Sequence, residues 1–403
     1  MARAPHSPRG GLNDVAVVGA GPSGLAAALI LARQGRRVVV HERFETPQPV
    51  GAGFLLQPTG LAVLDRLGLT GEVEALAQPV TRLFGRAAPT YRTVLDVRYA
   101  DLKRPRPALG VHRAALFHVL HAACVSEGVD FRTGFDAVAA WEGRLTDAGG
   151  RCTAAFDLII DASGARSNIA EALEGPRRPL TFGALWSTVP WPDGAGFDPG
   201  ALEQVYHRAD TMIGVLPSGR QPGSDQALAT FFWSLKADSH EAWRRDGLDA
   251  WKARVLDLWP QTAPLLDHIR APEDMTLARY AHHTMRRPFG ARLAIIGDAA
   301  HSTSPQLGQG VNMGLLDAWA LGEALERSPG LDEAAAAYVA ARRRHVRLYQ
   351  ALSWAFTPFY QADGRVLPWV RDHVLGKAAR LPFAPRLLAA TVSGLLLDPR
   401  GAY

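Results

Sequence analysis

The sequence predicts a chain of mixed α/β and α+β class. A parallel-sheet α/β domain carries an inserted mixed β-sheet domain and is followed by a C-terminal helical region. Three observations predict this. A glycine-punctuated strand–helix–strand unit stands near the start, a second strand–glycine–helix unit stands at Arg292–Trp319, and between them composition shifts toward Trp, Phe, Tyr and Pro from about Leu180 to Tyr280.

In the first unit, Asp14 to Val18 is a short β-branched strand, and Gly19-Ala-Gly21-Pro22-Ser23-Gly24 follows at once. Pro22 suits a first helical turn, where no amide hydrogen is needed, and an Ala/Leu-rich helix then runs to about Gln34 before Gly35 stops it. Val38 to Val40 form a second buried strand ending in His41-Glu42-Arg43, with Glu42 standing 18 positions beyond Gly24. Three glycines in this spacing, flanked by strand, helix and a ribose-binding acid, are the fingerprint of a Rossmann-like dinucleotide site. Gly19 permits the tight turn, Gly21 lets a pyrophosphate approach the backbone, and Gly24 lets helix and strand pack closely.

Phe44 to Phe54 reads as a loop, Thr59 to Leu67 as a short amphipathic helix, and Val80 to Tyr99 as strands of a separate sheet. Arg113 opens a helix whose Leu116, Leu120 and Cys124 form a buried stripe. A cation at a helix N-terminus is disfavoured unless something holds it, so Arg113 reads either as a ligand contact or as a surface salt bridge. Val129 to Phe156 has the alternation of a small antiparallel meander, and Asp157 to Asp161 that of a strand buried on both faces. Within the aromatic region, Thr181–Val189, Val205–Leu216 and Leu228–Leu235 read as strands and Glu241–Leu258 as one helix. Most of the aromatics belong to core, with a minority available to line a pocket. Beyond Leu331 the chain is mainly helical, and Arg342 to Arg344 with Arg347 read as a solvated or salt-bridged face.

The second unit is an apolar strand, Leu293 to Ile296, that ends in Gly297-Asp298; a helix begins near Val311. Gly308 and Gly310 remove bulk where that helix starts, so its free N–H groups and positive dipole end can face an anionic group. Taken alone, this is equally an αβ turn capped by Asp298. Taken with Glu42, it calls for a dinucleotide with two polyhydroxyl regions, which makes FAD a better cofactor than NAD.

The 403 residues, 47% hydrophobic and 21% charged, fit a globular protein of two or three domains. The net charge of +5 is carried almost wholly by arginine, the only lysines being Lys103, Lys236, Lys252 and Lys377. The arginines are scattered and not interleaved with aromatics, which excludes nucleic acid as a partner. Cys124 and Cys152 fit no metal-ligand spacing, so no metal site is expected. Residues 1–13 read as a flexible leader, and no apolar stretch is long and uninterrupted enough for membrane insertion, so a cytoplasmic protein is expected. No sequence feature specifies an oligomeric state.

Three motifs carry a resemblance to a known family: VVGAGPSGLAAALILARQGRRVVVHER, DLIIDASGARSN and GDAAHSTSPQLGQGVNMGLLDAWAL. In order and spacing they resemble the class A FAD-dependent aromatic monooxygenases, the group typified by para-hydroxybenzoate hydroxylase. The resemblance implies that Gly19, Gly21, Pro22, Ser23 and Gly24 hold the dinucleotide and that Glu42 and Arg43 bind its adenosine end. It places Arg113 near the ribityl and pyrophosphate, Gly297 and Asp298 at the ribityl chain, Gly308, Gly310, Val311 and Asn312 at the pyrimidine edge, and Pro305 beside the flavin's reactive edge. It implies a discontinuous FAD-binding domain (14–79, 100–176 and 281–330), a substrate-binding sheet domain (80–99 and 177–280) and a C-terminal helical region (331–403). The implied reaction uses NADH or NADPH and O2 to hydroxylate an aromatic or heteroaromatic small molecule through a flavin C4a-hydroperoxide. The middle motif departs from the family pattern, with Ser163 where Asp is usual and Ala170 where Arg often closes the motif, which bears on how the nicotinamide is held. Tyr206, His207, His282 and His283 are candidates for a general base by location only, and none is assigned. Alternatives on the same scaffold are a reductase of a prenyl or quinone-like substrate and an epoxidase of a natural-product intermediate. The halogenase pattern is not met, because Trp186 lacks its paired Trp and no Lys precedes Lys103.

Overall fold

In a computed structural model the chain is described over residues 12–46, 52–379 and 381–397. Residues 1–11 of the expected leader and residues 47–51 of the Phe44–Phe54 loop lie outside the described residues.

The two motif-bearing units share one sheet of six strands, in the order Phe289–Gly290, Leu293–Ile295, Leu158–Asp161, Asp14–Val18, Arg37–His41 and Asp130–Arg132. All neighbours are parallel except the first pair. A parallel sheet is covered on both faces, which is why Val15 to Val18 read as a continuous apolar run and are all buried. On one face the Pro22–Arg33 helix packs against the Gly310–Arg327 helix at points where only glycine fits. A Cβ on Gly314 would lie 2.0 Å from Ser23 Oγ, and one on Gly322 would lie 2.4 Å from Ile30 Cγ2. The expected meander over Val129–Phe156 forms only in part. Asp130–Arg132 joins the parallel sheet, and the antiparallel pairing is the hairpin of Ala137–Trp141 with Arg144–Asp147.

A second sheet of seven strands runs Thr276–His282, Arg178–Pro190, Leu228–Lys236, Thr211–Pro217, Ala201–His207, Arg82–Ala87 and Arg92–Arg98. It is mixed, because Ala201–His207 pairs parallel with Arg82–Ala87 while the other neighbours are antiparallel. The single strand expected over Val205–Leu216 is instead a hairpin, turned at Arg208 with φ 52°. The single helix expected over Glu241–Leu258 is two helices, His240–Asp246 and Leu248–Leu258, broken at Gly247 with φ 82°. Those helices cover one face of the sheet, where Trp243, Trp251 and Trp259 pack on Leu185, Phe231 and Trp233. Side chains alternate along strands, so Trp186, Tyr206, Met212 and Phe232 emerge on the other face.

A small sheet of Phe54–Leu56, Ala108–Val111 and Gln78–Val80 bridges the two large ones. Gly53 donates its N–H to Thr230 Oγ1 on the seven-stranded sheet at 2.9 Å. The C-terminal region is helical as expected and is led by the 30-residue helix Leu331–Tyr360. Of the two readings of this charge run, Arg342 realises the salt-bridged one and not the solvated one. Its place on that helix turns it inward, where it is buried and donates Nε–H to Asp317 at 2.6 Å, while Arg343, Arg344 and Arg347 remain exposed.

Candidate functional site

A cleft of about 320 Å³ opens at the carboxyl ends of the Asp14–Val18, Arg37–His41 and Leu158–Asp161 strands, where open parallel sheets bind ligands. The three glycines of the first motif have distinct surroundings there. Gly19 has φ 97°, and a Cβ on it would lie 2.8 Å from the Ala162 carbonyl oxygen. Gly24 lies so close beneath the turn that a Cβ would fall 2.0 Å from the Gly19 carbonyl oxygen. Gly21 faces open space, with nothing within 4 Å of where a Cβ would stand. Pro22 begins the helix and lines the cleft beside Ser23, whose Oγ is wedged against Gly297 and Gly314.

Glu42 stands at the end of the second strand with its carboxylate held from both sides. Oε2 accepts the Ala20 N–H at 2.8 Å and Oε1 the Phe44 N–H at 3.1 Å. Each oxygen keeps a further lone pair for a hydroxyl donor. Arg43 is exposed at the cleft rim, its guanidinium 4.6 Å from the Phe44 ring centre. His41 lines the cleft beside Phe135 at 4.8 Å, and burial pushes its imidazole down to about 4, so it is neutral at physiological pH.

At the inner end of the cleft, Asp298 begins a one-turn helix after Gly297, which has φ 62°. Asp298 is exposed to the open cleft, but the protein packed around it pushes its carboxyl up, against the opposing pull of His301, Arg113 and Arg177. Among the described residues no donor pairs with the Asp298 carboxylate. Arg113 opens the Arg113–Ser126 helix and reaches toward Asp298 and Tyr280; burial pushes its basicity down and its Nε has no hydrogen-bond partner. Of the two readings of Arg113, the surface salt bridge is therefore not realised. An unpaired enclosed guanidinium facing an unpaired carboxylate fits a ligand that brings both hydroxyl and phosphate groups.

The start of the Gly310–Arg327 helix completes the site. Gly308 has φ 60°, and Gly310 and Val311 line the cleft. The Asn312 side chain is engaged within the protein. Its Oδ1 accepts the Gln57 N–H at 2.8 Å and its Nδ2 donates to the Leu55 and Gly308 carbonyls, so only its backbone is left to face a ligand. Pro305 starts a half-buried turn whose neighbours are tied to the C-terminal helix: Ser304 shares hydrogen bonds with Ser353 at 2.8 Å and with Thr357 at 2.7 Å.

A family model described as FAD binding domain matches residues 13–350. The chain belongs to this FAD-binding family. FAD is therefore its cofactor, and the open space at Gly21, the unpaired Arg113 and the unpaired Asp298 suit one. Curated relatives include a putative 2-heptyl-3-hydroxy-4(1H)-quinolone synthase of Rhodococcus erythropolis, 27% identical, with 94% of this chain and 91% of that protein covered. Another is an FAD-dependent urate hydroxylase of Klebsiella pneumoniae, 28% identical over 82% of this chain and 86% of that one. Among solved structures, Klebsiella pneumoniae HpxO complexed with FAD and uric acid superposes with a TM-score of 0.80 at 20% identity, covering 96% of this chain and 98% of that one. The tetrameric form of 2-methyl-3-hydroxypyridine-5-carboxylic acid oxygenase gives a TM-score of 0.78 at 23% identity, covering 97% and 98%. Both share its fold.

In this FAD-binding chain the general-base candidates are dispersed. The Tyr206 hydroxyl donates to Gln204 Oε1 at 2.8 Å and burial pushes its acidity far down, so it is a poor base. His207 lies at a hairpin turn beside Asp210. His282 and His283 are half-buried with imidazoles pushed down by burial, and neither lines the cleft. Sequence reasoning missed Arg177 and Tyr280. Arg177 clamps the middle motif to the late one, donating to the carbonyls of Gly164 and Ala165 and, at 2.7 Å, of Ala299. Tyr280 accepts the Trp186 Nε1–H at 3.0 Å and stands near Arg113, which brings the aromatic sheet face to the inner end of the cleft. Neither belongs to a local motif, so no signal in the sequence marks them. Ser163 turns its hydroxyl onto Asp161 at 2.6 Å, where it anchors the loop and presents no charge to the cleft.

Proposed function

We infer that this protein is an FAD-dependent monooxygenase that uses NAD(P)H and O2 to hydroxylate an aromatic or heteroaromatic small molecule. The observation that carries this reading is the meeting of the cofactor cleft with an aromatic sheet face at Arg113 and Tyr280. Trp186 and Phe232, with ring centres 4.8 Å apart, and Tyr280 give that face flat apolar surface with a hydroxyl at its edge, the lining that suits a planar ring. The quinolone synthase and urate hydroxylase names of the relatives support a heteroaromatic substrate.

Bound FAD supplies hydride acceptance from the nicotinamide and activation of O2. The chain's residues hold and enclose it. Gly21 and the start of the Pro22–Arg33 helix receive the pyrophosphate, Glu42 and Arg43 the adenosine end, and Asp298 and Arg113 the ribityl side. The Gly308–Asn312 backbone takes the pyrimidine edge through the free N–H groups of Gly310, Val311 and Asn312, the Gly308 N–H being given to the Pro305 carbonyl, and Pro305 lies on the side facing the substrate. The sheet domain excludes water from the reacting ring. No protein base is assigned, since none of the four candidates both reaches the cleft and is poised to take a proton.

The test is anaerobic reduction of the bound flavin by NADH and by NADPH across a panel of phenols, quinolones and purines, followed by oxygen uptake. A ring compound that accelerates reduction and is recovered with one added oxygen supports the reading. Turnover that reduces a carbon–carbon double bond without oxygen uptake would establish a reductase instead. Asp298→Ala is expected to lose FAD on gel filtration, and full retention would remove its assigned role.

A further inference from the structure

The described residues contain no helix long and apolar enough to cross a membrane. The C-terminal helices nonetheless expose large apolar side chains: Trp354 is 72% exposed, Phe383 68% and Trp369 56%. Residues 366–378 run as one helical stretch that buries Pro368 and Arg371 on its inner side and turns Val366, Leu367, Trp369 and Val374 outward. A short turn, 361–365, joins this stretch to the Leu331–Tyr360 helix. There Trp354 continues an outward strip that includes Arg343, Arg347 and Ala351, all at helical spacings of three or four residues and all exposed. Isolated exposed apolar residues need no explanation, but a succession of them along consecutive helices does.

Within residues 361–397 the charges outside ion pairs have one sign. The two acids of residues 361–397, Asp363 and Asp372, are both consumed in ion pairs, with Lys236 at 2.7 Å and with Arg371 at 2.7 Å. Arg365, Lys377 and Arg386 are exposed and have no acidic partner among the described residues. Beside the Arg343–Arg347 turn lies a separate cavity of about 600 Å³, with Arg286, Arg343 and Arg347 in its lining and neither Asp nor Glu. At 1.5 Å per residue, Arg347 stands about 10 Å from Trp354 along the helix, so cations and indole lie on one strip.

We propose that this face docks on an anionic phospholipid bilayer, lying at the interface without spanning it. A symmetric contact with a second copy would set the same patch against itself and bring these cations together. A bilayer surface offers what the patch lacks: lipid phosphates for the arginines and an apolar boundary for Trp354, Trp369 and the outward Val and Leu side chains.

The test is flotation of the FAD-loaded protein with vesicles of phosphatidylcholine alone and with vesicles of equimolar phosphatidylcholine and phosphatidylglycerol. The protein is expected to float with the second and not the first, and added salt should release it. The pairs Trp354→Ser/Trp369→Ser and Arg343→Glu/Arg347→Glu should each lower the vesicle partition coefficient by about tenfold or more. Both variants should keep the wild-type flavin spectrum, which separates loss of docking from loss of fold and from failure of the monooxygenase reading. Absence of flotation, or flotation indifferent to both variants, overturns the proposal. So does a dimer in solution that the tryptophan pair abolishes, which would assign the face to a second copy.

Discussion

Gly21 and Gly24 stand three residues apart in one motif, and the structure gives them opposite roles. Gly21 has φ −76° and ψ 174°, a conformation that alanine adopts freely, with empty space where its Cβ would go. Gly21→Ala should therefore leave the apoprotein as stable as wild type or more stable by about 0.4–1 kcal/mol, through the entropy of the unfolded chain. On the proposed binding mode the same methyl group occupies the space into which the pyrophosphate would come. Losing one charge-assisted backbone hydrogen bond costs about 1.5–3 kcal/mol, which weakens FAD binding by about 10- to 150-fold. Gly24→Ala meets the Gly19 carbonyl oxygen at 2.0 Å, a backbone atom that cannot rotate away. It should destabilise the apoprotein itself by about 1–3 kcal/mol or more. The assay is denaturant unfolding of both apoproteins together with fluorescence titration of FAD. Wild-type FAD affinity in Gly21→Ala, or equal destabilisation by the two variants, would refute the assignment of the cleft.

Arg113→Met should stabilise the apoprotein by about 1–3 kcal/mol, because it removes an unpaired enclosed cation, and should weaken FAD binding by about tenfold or more; unfolding with and without FAD measures both. Asp317 is buried, which raises its carboxyl, but His301 and Arg342 outweigh burial and hold it well below the ordinary value of 3.8. Its stabilising contribution is therefore complete above pH 3.8 and is lost as pH falls through the depressed value. Asp317→Asn should cost about 3–5 kcal/mol near neutral pH, and the gap from wild type in unfolding free energy should narrow in acid. Cys124 is buried with its thiol pushed up to about 12, while Cys152 is exposed, so a thiol reagent should modify only Cys152 in the native protein.

The residues legible in the sequence are those whose chemistry is fixed by their neighbours in the chain. The glycine turn, Glu42 at its strand end, and Gly297-Asp298 before a glycine-led helix each announce themselves within a few residues, and the structure brings Gly19, Gly21, Glu42, Asp298 and Gly310 to the lining of one cleft. Arg177 and Tyr280 were not legible, because their partners lie on distant segments: Asp298 and Ala299 for one, Trp186 and Arg113 for the other. Which arginine of the 342–347 run is salt-bridged was not legible for the same reason, since its partner Asp317 lies on another helix. Asn312 was placed correctly on its helix, but its side chain is taken up by Gln57, Leu55 and Gly308, residues that no local pattern connects to it. The Arg208 turn and the Gly247 break divided elements that apolar periodicity had joined.

The hydrogen bonds from Ser304 to Ser353 and Thr357 set an order of events during synthesis. The last strand of the parallel sheet ends at Ile295, but Ser304, which leads into the Pro305 turn, gains its side-chain partners only when a stretch 49 residues further on has been made. Ser353 is 58 residues beyond Ile295, so at about 5–20 residues per second the delay is roughly 3–12 s after the sheet is complete. The nascent chain thus has the parallel sheet and its glycine turn before Ser304 has its partners. The two segments are joined only when the long Leu331–Tyr360 helix has been delivered.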